Sequence, residues 1–294
     1  MNVFIAVLAA FFFVLLFLLV RHRSERRKKK KARREREVWS IGMYRGTTPY
    51  DLADAGEVDN PVLTARDVHD VKARFVADPF MLMHEDRFHL FFEVLNGSRE
   101  KGEIGYATSD DTKRWVYRGI VLRERFHLSF PYVFTDDGNV YMIPECADSG
   151  GIQLYRAESF PVRWARVATL VKGTGRYAPL YDASIVKHEG RWYLFSYARK
   201  VDNLHLFSAD TLLGPWSEHP RSPVVSGTPH YARPAGRIVA YGKSGELVRF
   251  AQDGIPNYGS KVWAFTITEL SKHGYREERS EEHTSELQSL GRIS

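Results

Sequence analysis

Two aspartates and two glutamates recur at matching positions in the chain. Asp78 and Asp182 are each the second residue of a short segment that opens a repeated unit, and Glu93 and Glu145 follow the second residues of the first two units by 15 positions. Tyr197 has the corresponding position in the third unit. Acid–base catalysis needs one ionised and one protonated carboxyl group beside the reacting bond. Burial beside like charges raises the pKa of one of them, so these acids predict a site where the units converge.

Each of these acids also has a structural interpretation. Asp78 precedes Pro79 at the start of a strand, where aspartate accepts backbone N–H bonds and proline restricts φ. Glu93 and Glu145 end apolar strands, where a buried arginine would neutralise them. The candidate partners are Arg199, Arg233 and Arg249.

Arg233 is the second residue of the segment that opens the fourth unit. It has the position that Asp78 and Asp182 have in the first and third units. An arginine there either balances the charge of those aspartates or holds a phosphate or carboxylate through two parallel hydrogen bonds. The sequence leaves both roles open.

The units are an internal repeat that covers most of the chain. Four segments, ADPF, SFPY, YDAS and ARPA, have their second residues at positions 78, 130, 182 and 233. Each leads into two apolar runs joined by a tight turn, and a third and a fourth run follow. Four short strands in about fifty residues are the size and content of a propeller blade. Helical periodicity is not sustained here, so the region is predicted to be all-β.

An extra half unit at residues 38–68 precedes the first full unit. Its two runs resemble the third and fourth strands of a blade, which suits a ring whose last blade combines strands from both chain ends. The prediction is a five-bladed β-propeller over residues 38–278, whose fifth blade lacks its inner strands through C-terminal truncation. Residues 279–294 resemble the translation of a sequencing-library adapter, so they are predicted to be an artefact tail.

The N-terminus is predicted to be a membrane anchor. Residues 3–20 are consecutively apolar and span about 27 Å as a helix, close to the thickness of a bilayer core. Residues 21–37 carry a net charge of +8, whereas the net charge of the whole chain is +6. Basic residues on this side alone predict an uncleaved single-pass helix with a cytoplasmic propeller, and a linker that contacts anionic membrane lipid.

The composition excludes several classes of function. The chain outside the basic linker has a net charge of −2, and no aromatic residue interleaves the basic run, so no nucleic-acid partner is predicted. One cysteine, Cys146, excludes an intramolecular disulfide and a zinc site built on several cysteines. No metal and no cofactor are predicted.

The repeated units resemble a known family. The matching stretches are FVADPFMLMHEDRFHLFFEV, SFPYVFTDDGNVYMIPE, YDASIVKHEGRWYLFS and LVRFAQD. They resemble the N-terminal domain of glucosamine inositolphosphorylceramide transferases, which is similar to five-bladed glycoside hydrolases of the arabinanase and xylosidase type. The plant transferases carry a separate glycosyltransferase domain after the propeller and work in the Golgi lumen. The resemblance therefore makes a luminal propeller the alternative topology.

The resemblance also implies roles for two of the acids. Asp78 matches the general base of the similar hydrolases, and Asp182 matches the aspartate that tunes the pKa of the acid. The general acid would be a glutamate opening the fourth unit, where this chain has Arg233. Hydrolysis would then require Glu145 to act as the general acid. It could do so only if the geometry of the central channel of the propeller brings it near Asp78.

Aromatic residues near the strand starts complete the predicted site. Sugar rings can stack on such side chains, although core packing is their commoner fate. The candidates are Phe130, Tyr132, Tyr177, Tyr181 and His230, beside Tyr197. The sequence thus predicts a membrane-anchored propeller that binds a sugar or glycolipid headgroup as an accessory or substrate-binding domain. The alternatives are a divergent glycoside hydrolase using Asp78, Asp182 and Glu145, and a protein-interaction propeller.

Overall fold

The computed structural model describes residue 21, residues 39–173, residue 175, residues 179–256, residue 259 and residues 261–280. The chain divides into two units, Met1–Trp39 and Ser40–Ser294. No helix in the described part of the chain is long and apolar enough to cross a membrane. The predicted anchor at residues 3–20, the basic segment beyond residue 21 and the predicted tail from residue 281 onward lie outside the described residues.

The second unit is an all-β, propeller-like fold with four blades, which confirms the predicted fold class at that level. A short hairpin of β1 (Tyr44–Gly46) and β2 (Leu52–Asp54) comes first. Blade one contains β3 (Ala73–His84), β4 (Arg87–Asn96), β5 (Lys101–Ser109) and β6 (Val116–Leu122). Blade two contains β7 (Ser129–Asp136), β8 (Asn139–Glu145), β9 (Gly151–Ser159) and β10 (Arg163–Lys172).

The last two blades follow the same order. Blade three contains β11 (Leu180–His188), β12 (Arg191–Ala198), β13 (Asn203–Ala209) and β14 (Ser217–Glu218). Blade four contains β15 (Arg233–Pro234), β16 (Val239–Tyr241), β17 (Glu246–Asp253), β18 (Lys261–Leu270) and β19 (Tyr275–Arg279). Both β15 and β16 pair with β17, so they are two parts of one interrupted first strand. The first strands of successive blades contact one another, which makes them the inner strands.

Tight turns join the first two strands of blades one, two and three, as the sequence predicts. Glu85 and Asp86 both have positive φ, as do Asp137 and Gly138, and Glu189 and Gly190 form the third turn in the same way. Two consecutive left-handed residues match the twist of the flanking strands. These turns therefore fix the register between the inner strand and the second strand of each of these blades.

Apolar side chains hold the blades together face to face. Phe91 of blade one contacts Trp164 of blade two, with ring centroids 5.6 Å apart in a T-shaped arrangement. The indole N–H of Trp164 is satisfied by Pro161 O at 2.8 Å. Trp115 and Trp216 repeat this bond to the turn before their own strand. The repeating tryptophans are thus packing residues.

Arg237 joins three blades near the centre of the ring. It lies between β15 and β16, and its Nη2 donates to Val133 O of blade two at 2.6 Å and to Met81 O of blade one at 3.4 Å. The guanidinium also lies 4.8 Å from the ring centroid of Tyr132. Blade four is therefore tied to the inner strands of blades one and two.

The segment before blade one packs on the face of that blade that is turned away from blade two. Ile41 and Leu63 form an antiparallel bridge, and both are buried against Leu90 and Phe92. The predicted strand pair at residues 38–45 and 61–68 is thus reduced to this bridge. Capping by Thr64 turns the chain into a 3₁₀ helix instead.

Candidate functional site

The inner strands of blades one to three begin with the same backbone distortion. Asp78, Phe130 and Asp182 have φ values of 51°, 44° and 49°, and the strand pairing shifts register at each of them. Left-handed backbone in residues other than glycine costs about 1–3 kcal/mol each and concentrates at functional sites. The structure therefore confirms that positions 78, 130 and 182 are equivalent.

The second strand of each of these blades places another predicted residue directly beside the start of the inner strand. Ala77 pairs with Glu93, Ser129 with Glu145, and Tyr181 with Tyr197. In blade four the last pair is Arg233 with Gln252, and Asp253 ends the strand one residue further on. Asp253 is thus the blade-four counterpart of Glu93 and Glu145. Sequence reasoning missed it because the hairpin of blade four is longer than the others.

Asp182 and Arg233 form an ion pair across blades three and four. Arg233 Nε contacts Asp182 Oδ2, and Gln252 Nε2 donates to the same oxygen at 3.2 Å. The Asp182 side chain is only 2% exposed, while that of Arg233 is 21% exposed. Asp182 Oδ1 is buried and has no hydrogen-bond partner among the described residues. The sequence left two roles open for Arg233. The structure shows the first of them, in which Arg233 balances the charge of Asp182.

Asp78 is half-buried in the same cluster. Burial, with the carboxylates of Glu93 and Asp182, raises the pKa of Asp78 to about 8, against the opposing effects of Arg233 and the Phe130 N–H. Asp78 therefore carries a proton at neutral pH in the unliganded protein. A general base must be ionised, so this environment does not suit the role that the resemblance assigns to Asp78.

Glu145 lies near Asp182 in the same cluster. Its Oε1 accepts the Ala147 N–H at 2.7 Å and its Oε2 accepts the Ser129 hydroxyl at 3.1 Å. Burial and the charge of Asp182 raise the pKa of Glu145 to about 7, although these bonds and His127 oppose the shift. Glu145 is therefore poised between its two protonation states near neutral pH.

His127 is a polar member of the cluster that the sequence did not reveal. Its Nε2 lies 3.3 Å from Glu93 Oε1, and the Gly102 N–H donates to its Nδ1 at 2.9 Å. A Cβ on Gly102 would lie 2.1 Å from Leu128 O and 2.9 Å from Glu93 Oε1. Only glycine fits there. The contact joins blade two to blade one, so no spacing within one unit could have indicated it.

His230 belongs to a separate polar group in blade four. Its Nδ1 lies 2.9 Å from Asp253 Oδ1, and Trp263 Nε1 donates to Asp253 Oδ2 at 3.0 Å. The side chain of His230 is 42% exposed. Burial would raise the pKa of Asp253, but the bonds from His230, Ile255 and Trp263 outweigh it and lower that pKa. His230 is thus held by an ionised carboxylate.

The predicted aromatic contacts have different environments. Phe130 and Tyr132 are buried in the core, where Phe130 packs edge-on against Phe80 and the Tyr132 hydroxyl donates to Ile185 O at 2.6 Å. Neither is available for ring stacking with a ligand. Tyr197 is buried and donates to Asp202.

Tyr181 keeps a position at the cluster. Its ring is half-buried and lies 5.9 Å from the guanidinium of Arg233 and 6.0 Å from that of Arg199. Tyr177, which was also predicted to contact a ligand, lies outside the described residues.

Replacing Asp78 by asparagine is expected to flatten the pH dependence of stability. A carboxyl group whose pKa is raised by folding contributes most below its unfolded pKa near 3.8, and that contribution is lost as pH rises through about 8. Asp78→Asn should therefore match the wild type at pH 4 and exceed its free energy of unfolding by about 2 to 4 kcal/mol at pH 8. Denaturant unfolding across this pH range measures the difference.

The control for this experiment is Asp137→Asn in the exposed turn between β7 and β8. Its pH profile should follow that of the wild type. Identical profiles for Asp78→Asn and the wild type would show that the carboxyl group of Asp78 is solvated.

The fold and the cluster define a class of protein: a β-propeller with an acidic, partly neutralised group of side chains at the starts of its inner strands. Within that class, the family model for the N-terminal region of glucosamine inositolphosphorylceramide transferase 1 matches residues 32–290. The chain belongs to this family, as the sequence motifs predicted.

Curated relatives come from plants. The glucosamine inositolphosphorylceramide transferase 1 of Oryza sativa subsp. japonica is 36% identical over 261 residues, covering 81% of this chain and 34% of the relative. The protein of the same name from Arabidopsis thaliana is also 36% identical, with 33% of its length covered. The chain thus spans about a third of the length of these relatives.

Solved structures that share this fold include glycoside hydrolases. The GH43_1 enzyme from Xanthomonas citri, complexed with xylose, has a TM-score of 0.62 at 14% identity and covers 79% of both chains. An exo-β-1,3-galactanase from Phanerochaete chrysosporium has a TM-score of 0.60 at 16% identity, over 79% of this chain and 54% of that one. At such identities the likeness shows the fold alone.

Proposed function

We propose that this propeller binds a sugar or a glycolipid headgroup at the inner-strand cluster, as a substrate-binding or accessory domain related to glycolipid glycosyltransferases. The observation that carries the proposal is the group of buried carboxylates around Asp182, whose Oδ1 has no hydrogen-bond partner among the described residues. Buried polar atoms are normally satisfied. A ligand that supplies hydroxyl donors would remove this cost, and a sugar does so.

Two further observations support binding. The left-handed backbone at Asp78 and Asp182 is strain of the kind found at ligand sites. Family membership adds relatives whose name denotes a transferase acting with glucosamine and inositolphosphorylceramide. This chain spans only about a third of the length of those relatives. From their name we therefore infer a carbohydrate ligand for this chain, and not the transferase activity.

Hydrolysis is the alternative, and the charges oppose it. An inverting or retaining glycosidase needs one ionised carboxylate beside one protonated acid. Here Asp182 is held by Arg233, and Asp78 is protonated at neutral pH. Glu145, with its pKa raised to about 7, could replace the missing general acid. However, Asp182 is committed to Arg233 and Asp78 holds a proton, so none of the three predicted acids is free to act as the base.

Binding and hydrolysis can be separated on the full chain in detergent. Glycan-array binding is expected to identify a sugar ligand, and Glu93→Gln should weaken that binding at least tenfold, since it removes a charged hydrogen bond at the cluster. The variant Asp137→Asn in the exposed turn should bind like the wild type. Release of reducing sugar from the bound glycan would instead support the hydrolase, and absence of any glycan binding would refute the proposal.

We also propose that the chain is anchored in a membrane by residues 3–20, with the propeller in the cytoplasm. The eighteen-residue apolar run and the basic residues on one side of it support this topology. Protease treatment of sealed vesicles should digest the propeller from the cytoplasmic side. A protected propeller would place it in the lumen.

We further propose that the complete ring has five blades. The segment around Ile41 and Leu63 covers part of the outer face of blade one, while Met81 and Met83 on its inner strand stay 40% and 54% exposed. Tyr50 contacts Tyr241 of blade four, with ring centroids 5.9 Å apart. This segment thus lies against both blades one and four, where a fifth blade belongs.

Methionine oxidation tests the fifth blade. In a chain extended by about fifty native residues, one blade's worth, Met81 and Met83 should oxidise as slowly as buried Met142. In the chain of 294 residues they should oxidise much faster than Met142. Equal rates for Met81 in the two chains would favour a ring of four blades.

A further inference from the structure

Six basic side chains form a continuous surface at the end of the ring where the inner strands begin. We call this the cluster end, because the cluster of buried carboxylates lies there. Three segments of the chain meet at this surface, namely residues 72–74, 97–101 and 123–127. The Gly97 N–H donates to Lys72 O at 2.8 Å, and Arg99 Nη2 donates to Glu124 O at 3.2 Å. The basic rim formed in this way consists of Lys72, Arg74, Arg99, Lys101, Arg123 and Arg125.

The acidic side chains in and beside these segments do not cancel the charge of the basic rim. Glu103 is only 1% exposed, whereas Arg99 and Arg123, which lie 2.6 and 3.3 Å from its two oxygens, are 43% and 49% exposed. The guanidinium groups therefore face the solvent and the carboxylate does not. With Glu100 and Glu124 the surface has three acidic side chains against six basic ones, so it is positively charged.

The opposite end of the ring, where the tight turns lie, exposes acidic side chains instead. Basic residues at this end are paired with acids, as Arg87 is with Asp110 and Lys187 with Asp136. A difference in charge between two ends of a protein orients it in the field of a charged surface. The exposed acids of these turns include Glu85, Asp86, Asp137, Glu189 and Asp210. An anionic surface would therefore attract the cluster end and repel the end that carries the turns.

Exposed apolar side chains accompany basic ones at the cluster end. Val201 is 47% exposed and follows Arg199 and Lys200 in the loop between β12 and β13. Ile255, also 47% exposed, lies in the equivalent loop of blade four, between β17 and β18. Apolar side chains next to basic ones can enter the boundary between lipid headgroups and acyl chains. A free phosphate or a nucleic acid offers no apolar phase to such residues, so this combination favours a lipid surface.

We propose that the cluster end of the propeller docks on an anionic lipid surface through the basic rim, with the loops of Val201 and Ile255 at the bilayer. The proposed membrane anchor supports this choice of partner, because residues 21–37 span at most about 60 Å and keep the propeller within reach of lipid. The Gly102 N–H, next to Lys101, donates to His127 of the cluster at 2.9 Å. Docking would therefore turn the cluster towards the bilayer and the acidic turns away from it.

Hydrogen exchange of the full chain in nanodiscs tests the docking surface. The discs contain phosphatidylcholine alone or phosphatidylcholine with phosphatidylserine, and mass spectrometry follows the amides of residues 97–101 and 123–127. Exchange at these residues should slow at least tenfold in the anionic discs, and high salt should abolish the protection because it screens surface charges. The turn of Asp137 and Gly138 should exchange equally in both discs. Equal exchange of the basic rim in neutral and anionic discs would overturn the proposal.

A pair of double variants separates the basic rim from the basic linker at residues 21–37. Lys72→Gln with Arg125→Gln removes two exposed charges of the rim and should reduce the protection at least tenfold, since each basic residue near an anionic surface strengthens association about fivefold. Arg114→Gln with Lys243→Gln removes two exposed charges from the opposite end and should leave the protection unchanged. If both double variants keep full protection, the linker alone contacts lipid and the rim does not.

Two further results distinguish this inference from the other proposals. Protection of the basic rim by single-stranded RNA in detergent, without protection by anionic discs, would assign the surface to nucleic acid and overturn lipid docking. A chain that does not insert into discs would refute the anchor. Co-sedimentation of that chain with phosphatidylserine vesicles then measures the rim directly, and its absence would overturn docking as well. Neither result bears on the carbohydrate proposal, which is tested by glycan binding.

Discussion

Arg249→Ala is expected to lower the free energy of unfolding by about 3 to 5 kcal/mol, since it strips a buried charge of its partner. Arg249 is 1% exposed, and its Nε and Nη2 donate to the two carboxylate oxygens of Glu277 at 2.8 and 2.6 Å. A third donor, Nη1, reaches Tyr231 O at 3.1 Å. The substitution leaves the Glu277 carboxylate, 11% exposed, without a counter-charge.

The expected loss is measured by denaturant unfolding of the full chain in detergent. Replacing both partners, as in Arg249→Met with Glu277→Leu, should recover most of the stability, because paired apolar side chains need no desolvated charge. The exposed pair of Arg87 with Asp110 supplies the control, and Arg87→Ala should cost less than about 1 kcal/mol. Equal losses for Arg249→Ala and Arg87→Ala would show that the Arg249 pair is hydrated.

Arg233→Ala is expected to cost a similar amount, about 3 kcal/mol at neutral pH. The substitution removes the cation that faces Asp182, whose side chain is 2% exposed and already has one oxygen without a hydrogen-bond partner among the residues that the structure describes. It also removes a positive charge that lowers the pKa of Asp78, so it should raise that pKa further. Arg233 therefore contributes to the stability of the cluster as well as to any ligand contact.

A double-mutant cycle separates these two contributions. Asp182→Asn combined with Arg233→Ala should be less destabilised than the sum of the single variants, because the buried charge and its partner leave together. Arg233→Lys, which retains the charge but loses the fork of donors, is the matched control. Loss of ligand binding with unchanged stability in Arg233→Ala would assign Arg233 to the ligand instead.

Much of the cluster could be predicted from the sequence, because its members lie at fixed positions in a repeat. The backbone at positions 78, 130 and 182 is left-handed in all three blades, and the pairings of residues 77, 129 and 181 repeat as well. A repeated backbone geometry follows from local pattern and turn chemistry, which recur with each unit.

His127 and Asp253 could not be predicted in the same way. His127 reaches Glu93 and Gly102 in the neighbouring blade, so its role depends on how two blades meet. Asp253 becomes equivalent to Glu93 only when the longer hairpin of blade four is allowed for. Both depend on register between segments that the periodic pattern does not connect.

The sequence by itself determined the all-β class, the four units and their hairpins, since strand alternation and turn residues act between near neighbours in the chain. Only the tertiary structure decided which polar side chains pair and which aromatic rings are buried. The Arg233 pair with Asp182 joins residues 51 positions apart, and Phe130 and Tyr132 lose access to a ligand because neighbouring blades cover them. Burial and charge pairing depend on the blade that lies opposite, and no local pattern specifies that neighbour.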